Sequence, residues 1–213
     1  MKFERRTTPQ SQAEVKIRAF GSGKKGIRGY AAVFYDGTPA TEFELFPGLK
    51  ERIAPGAFDD VMTADVRGLF NHNPDLVLGR TKSGTLALRQ DEKGLRYDIT
   101  PPKSRADIVE ALERGDLDGS SFTFFVAPDG VRYEDGGDFE IRVITKVRRL
   151  LDVGPVTFPA YDGTAAYMDG TDVDAAPPEE HGETESGAAA RARAQADNLR
   201  VRMALVTRGI GRK

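Results

Sequence analysis

The stretch TLALRQDEKGLRYDIT, residues 85–100, decides the fold class. Leu95, Tyr97 and Ile99 alternate with Arg96, Asp98 and Thr100, the two-residue period of a half-buried strand. Leu86 and Leu88 open a matching strand on the other side of a polar turn that ends at Gly94, so the segment reads as a β-hairpin. The same strand signature recurs on both sides. Upstream stand EVKIRAF (14–20), IRGYAAVFYD (27–36), FELF (43–46), VRGLFNH (66–72) and VLGRT (77–81). Downstream stand SSFTFFV (120–126) and FEIRVITKVRRLLDVGPVTF (139–158). Two helical segments interrupt them. PGAFDDVM (55–62) is short, and SRADIVEALERG (104–115) places Ser104 as N-cap, Ile108, Ala111 and Leu112 on one face, and Gly115 at the C-terminal stop. Many short strands with few helices predict a mainly β fold, a closed or nearly closed β-barrel.

Around that block the composition divides the chain. Residues 1–13 are polar and predict a flexible arm, and residues 14–168 carry the barrel. Residues 169–190 form an acidic linker: residues 170–190 carry six acids and no Lys or Arg. That composition cannot bury a core and predicts disorder. Residues 191–213 reverse the sign, with seven Lys or Arg against one Asp. Ala192, Ala196, Leu199, Met203 and Val206 recur there at helical spacing, so a basic amphipathic helix is expected.

The 213 residues carry a net charge of −2, which gives no argument for nucleic acid or an acidic membrane surface. Absence of cysteine excludes disulfides, thiolate nucleophiles and cysteine-held zinc. No apolar run approaches a bilayer span, and MKFERRTTPQSQ lacks an apolar signal core, so a soluble protein kept inside the cell is expected. Histidine is the informative count, because there are only two. His181 falls in the acidic linker, which leaves His72 for any imidazole chemistry.

His72 follows an apolar strand in LFNHNPDLVLGR, at a rim position suited to a general base or to a turn bonded to its own backbone. In LDGSSFTFFV, Ser120, Phe122 and Phe124 share one face of a strand, whereas Ser121 points with Thr123 to the other. Asp152 interrupts the apolar run LLDVGPVTF, where an ionised side chain needs a partner. It reads as a bulge residue before Gly154-Pro155, as a partner of Arg148 or Arg149, or as the partner of an imidazole. The chain order His72, then Ser120 or Ser121, then Asp152 supplies a base, a hydroxyl and a carboxylate to hold the base in one tautomer.

Five blocks in order resemble the prohead maturation proteases of tailed bacteriophages, whose fold is related to the herpesvirus assembly proteases. IRGYAAVFYD is similar to the family's opening strand, and ERIAPGAFDD to its Glu-x-Ile-x-Pro-Gly-Ala-Phe segment. NHNPDLVLGR resembles its Asn-His-x-Pro block, GDLDGSSFTF its Gly-Met-Ser-Phe-Gly-Phe motif, and LLDVGPVTFPAY its Glu-Val-Ser-x-Val-Thr-x-Pro-Ala motif. The resemblance covers about residues 14–165 and implies a barrel of the herpesvirus-protease type. It makes His72 the base, Ser121 the nucleophile and Asp152 the third member, where the family usually carries Glu. It leaves Arg148 and Arg149 as candidates for the oxyanion hole, beside their plain reading as solvated strand charges.

The implied activity is a serine endopeptidase without cofactor or metal. It would cleave scaffold protein and major capsid protein, and itself, inside the assembling prohead in the host bacterial cytoplasm. No nucleic acid or membrane partner is implied, and a homo-oligomer is compatible with the resemblance. The alternative is a β-barrel scaffold or virion component that keeps the fold without turnover.

Overall fold

Alternating apolar residues produce strands where the sequence predicts them, and long-range partners add others that it hides. The computed structural model describes residues 3–8, 10–20, 24–158 and 166–167. It opens with strand β1 (Glu4–Thr8), helix α1 (Gln10–Ala13), β2 (Lys16–Phe20) and β3 (Lys24–Val33). Then follow β4 (Phe43–Phe46), β5 (Leu49–Ile53), β6 (Arg67–Leu69), β7 (Val77–Arg80), β8 (Leu86–Gln90) and β9 (Gly94–Ile99). Helix α2 (Ala106–Arg114) leads to β10 (Gly119–Val126), β11 (Val131–Asp135), β12 (Glu140–Ile144), β13 (Val147–Val156) and β14 (Ala166–Tyr167).

The protein is mainly β with few helices, as expected, and the 85–100 hairpin forms as β8 and β9. The closed barrel is not what the described strands build. They form three open sheets, ordered β14-β1-β10-β13-β6-β7, β11-β12-β5-β4 and β2-β3-β9-β8. Between sheets the strand ladders give way to isolated corner bonds, such as Tyr35 N–H to the Ile53 carbonyl (2.8 Å). The three sheets share one core. Ile27, Leu78, Leu95, Ile99, Phe58 and Phe122 are fully buried in it. Phe122 stacks on Phe124 with centroids 4.8 Å apart, and Phe58 meets Phe122 edge-on at 5.8 Å.

The arm expected over residues 1–13 is instead largely built into the fold. β1 lies between β14 and β10, pairing Thr7 with Ser121 and Arg6 with Phe122. Arg6 is fully buried. Its Nε donates to Glu51 Oε1 at 2.5 Å, and its Nη2 to Glu51 Oε2 at 2.9 Å and Glu4 Oε2 at 2.6 Å. Arg142 on β12 bonds the same two carboxylates, Glu4 through both guanidinium ends and Glu51 through Nη1. Two guanidiniums against two carboxylates make this buried cluster neutral, which is what allows it inside a core.

Local signals are revised in three further places. The 55–62 segment contains a single 3-10 turn, Asp59–Val61. Ser104 is not the N-cap, because Lys103–Arg105 form a 3-10 turn and Arg105 takes the cap position without a side-chain bond. Gly115 ends α2 in the left-handed region (φ 80°), as expected. The single run 139–158 splits at Thr145-Lys146 into β12 and β13, which join different sheets. The linker 169–190, with His181, and the tail 191–213 lie outside the described residues, as does the rest of 159–168 apart from β14.

Candidate active site

Antiparallel pairing sets two of the three singled-out side chains. Across β10 and β13, Ser121 faces Gly154 and Thr123 faces Asp152. Directly paired residues share a face, so Ser121, Thr123 and Asp152 stand together on the side away from Phe122 and Val153. His72 comes from the loop after β6, which runs parallel to β13 with Asp152 opposite Arg67 and Val153 opposite Gly68.

The loop reverses sharply to reach them. Asn71 and His72 are both left-handed, with φ of 52° and 57°. Such a conformation costs on the order of 1–3 kcal/mol for a residue other than glycine and persists only where neighbours enforce it. Here they do. The Asn71 N–H donates to the Pro155 carbonyl at 3.1 Å. Its side-chain amide donates to Thr157 Oγ1 at 2.9 Å and accepts from the Thr157 N–H at 2.8 Å. The His72 loop is thereby tied to the end of β13 and to Thr157 just beyond it.

The imidazole of His72 then bridges the other two groups. Nδ1 lies 2.5 Å from Asp152 Oδ1, and Nε2 lies 2.7 Å from Ser121 Oγ. Thr123 Oγ1 is 3.2 Å from Nδ1 as a second neighbour. An ionised carboxylate only accepts, so Nδ1 carries the proton in the neutral ring and Nε2 is left to accept from the serine hydroxyl. That hydroxyl also lies 2.8 Å from the Arg6 carbonyl on β1. One proton therefore has two acceptors. Ser121 is fully buried, while His72 and Asp152 keep side-chain exposures of 8% and 9%.

The other singled-out residues are not brought into this group. Ser120 faces the core, where its hydroxyl lies 3.3 Å from the Tyr97 hydroxyl. Complete burial drives the Tyr97 phenol well above its ordinary range, although the Ser120 hydrogen bond opposes this. Arg148 and Arg149 are exposed on β13, with Arg149 opposite Phe125. Arg149 precedes Gly154, the partner of Ser121, by five positions, or about 16 Å of extended strand. An arginine side chain spans less than half of that. Sequence reasoning missed Asn71, Thr157, Thr123 and the Arg6 carbonyl. An Asn just before the rim histidine was the one available signal, since Asn tolerates the left-handed region. Among the described residues, no cluster of three or more His, Asp or Glu side chains is arranged to hold a metal ion.

A hydroxyl bonded to an imidazole that is bonded to a carboxylate is the arrangement by which serine hydrolases activate a nucleophile. Residues 11–177 match the family model described as caudovirus prohead serine protease, and the chain belongs to that family. The family name makes it a serine protease of the tailed-phage prohead, with capsid-related proteins as the implied substrates. No curated protein and no solved structure matches the chain. Among the described residues, no helix is long and apolar enough to cross a membrane.

Proposed function

We propose that this chain is a serine endopeptidase that cleaves scaffold protein and major capsid protein, and itself, as the prohead matures in the host bacterial cytoplasm. The observation that carries the proposal is the unbroken path Ser121 Oγ–His72 Nε2–His72 Nδ1–Asp152 Oδ1, at 2.7 and 2.5 Å. His72 takes the hydroxyl proton on Nε2 as Ser121 Oγ bonds to the scissile carbonyl carbon. Asp152 holds the Nδ1 proton and stabilises the imidazolium. The imidazolium next returns its proton to the leaving amine as the C–N bond breaks. Water, deprotonated by the same Nε2, then hydrolyses the acyl-enzyme.

The three open sheets wrapping one core are read as the walls of a herpesvirus-protease-type barrel. The acidic linker (169–190) is proposed as the self-cleavage site. The basic helix (191–213) is proposed to dock the protease on its scaffold or capsid partners, raising the local substrate concentration.

A fluorophosphonate probe tests the nucleophile. Ser121→Ala should abolish labelling and cut peptide cleavage by about 10⁴-fold or more. Ser120→Ala should label like wild type. Labelling that survives Ser121→Ala would refute the assignment of the nucleophile, and a wild-type protein that does not label would favour the inactive-scaffold alternative.

A further inference from the structure

We infer that Gly154 is a positioning residue that sets the height of the His72 loop to match the short side chain of Asp152. The inference rests on the reading of Ser121, His72 and Asp152 as one catalytic group. Gly154 follows Asp152 by two residues on β13 and faces Ser121 on β10. A Cβ on Gly154 would sit 1.9 Å from the Leu69 carbonyl oxygen, 3.0 Å from its carbonyl carbon and 3.2 Å from its amide nitrogen. All three are backbone atoms of β6, so no flexible side chain can give way. Real Cβ atoms essentially never lie under 3.0 Å from a neighbour, so a methyl here lifts the Leu69 carbonyl by about 1.1 Å. Glycine is demanded by this close approach rather than by an unusual φ.

Leu69 is three residues before His72, and the intervening chain has little slack. Phe70 N–H bonds the Leu76 carbonyl and Asn71 N–H bonds the Pro155 carbonyl, both at 3.1 Å. Lifting the end of β6 therefore lifts the imidazole. Asp152 has no reserve of length to follow it. A rise of about 1.1 Å would stretch the 2.5 Å Nδ1 contact beyond hydrogen-bonding distance. Glutamate carries one more carbon–carbon bond, roughly 1.5 Å of added reach, which nearly equals the displacement. Gly154 and Asp152 thus act as a matched pair, with close strand packing offsetting a short carboxylate.

The test measures fluorophosphonate labelling rates and the downfield imidazole N–H proton resonance, which His72→Ala identifies. Gly154→Ala should slow labelling by about 100-fold, the loss typical of a 1 Å misplacement, and erase the resonance. Gly154→Ala combined with Asp152→Glu should recover at least about tenfold in rate and regain the resonance. Asp152→Glu alone should slow labelling by at least about tenfold, because the longer side chain crowds a loop set for Asp. Wild-type labelling by Gly154→Ala, or equal slowing by Asp152→Glu in both backgrounds, would overturn the inference. If Gly154→Ala does not fold, Asp152→Glu alone decides: wild-type labelling overturns the match, and slowed labelling with a weakened resonance supports it. Labelling that survives Ser121→Ala is a different failure, that of the catalytic reading beneath the inference.

Discussion

Replacing Glu51 with glutamine probes the buried charge cluster with almost no change in shape. Glu51 is fully buried and accepts bonds from Arg6 Nε, Arg6 Nη2 and Arg142 Nη1. In Glu51→Gln the amide presents a donor to guanidinium donors, and Glu4 alone faces two arginines. Removing one partner of a buried ion pair costs about 3–5 kcal/mol, most of it the burden of the charge left behind. For a domain of this size each kcal/mol moves Tm by about 2–4 °C, so a fall of roughly 6–20 °C is expected. Thermal and guanidinium unfolding followed by circular dichroism at pH 7 measure it, with the midpoint shift read at constant slope. Arg6→Met should cost a similar amount, and the double variant less than the two combined, because neither charge is then left without its partner. A Glu51→Gln protein within about 1 kcal/mol of wild type would refute this account of how β1 is held.

The same cluster sets an acid limit. Burial alone would raise the Glu4 carboxyl, but bonds and charges from Arg142 and Arg6 outweigh it and hold it below its ordinary 4.5. Glu42 is lowered in the same way, with burial opposed by Lys50 and Arg52. These groups contribute stability that is full above about pH 4.5 and is lost as pH falls through their folded values, so Glu4→Gln should flatten the decline in the denaturant midpoint below that pH. An unchanged acid limb in Glu4→Gln would contradict the assignment. Asn71→Ala removes both side-chain bonds to Thr157 and leaves a left-handed residue held only by its backbone bond to Pro155; peptide turnover should fall by about 10- to 100-fold without loss of the circular dichroism spectrum. Turnover at the wild-type rate would show that the clamp does not position His72. Deleting residues 170–213 should leave peptide cleavage intact and reduce incorporation into proheads, and packaging equal to the full chain would refute the docking role.

What was legible in the sequence was whatever local period and residue type could encode. The hairpin, the parity that separates Ser121 from Ser120 and the stop at Gly115 follow from spacing, while the choice of His72, Ser121 and Asp152 as one group rests on the family resemblance. β1 was hidden because Glu-Arg-Arg-Thr-Thr reads as a solvated arm. Arg6 turns inward because the carboxylates of Glu51 on β5 and Glu4 accept its guanidinium bonds. β5 itself, Leu-Lys-Glu-Arg-Ile, is disguised by the same buried Glu51. Strand count predicted the mainly β class but says nothing of where ladders stop, so the three open sheets among the described residues were not legible in it. The demand for Gly154 comes from the Leu69 carbonyl 85 positions earlier, a contact that no window of sequence contains.

The pairing of β1 with β10 has a further consequence for when activity can arise during synthesis. The Ser121 hydroxyl and the Arg6 carbonyl that accepts from it are 115 positions apart in the chain. Asp152 and the Pro155 carbonyl that pins the His72 loop come later still. A ribosome adding about 5–20 residues per second therefore exposes the first strand of this sheet several seconds before its partners. In the proposed assignment, Ser121, His72 and Asp152 can meet only after β13 (Val147–Val156) has left the exit tunnel.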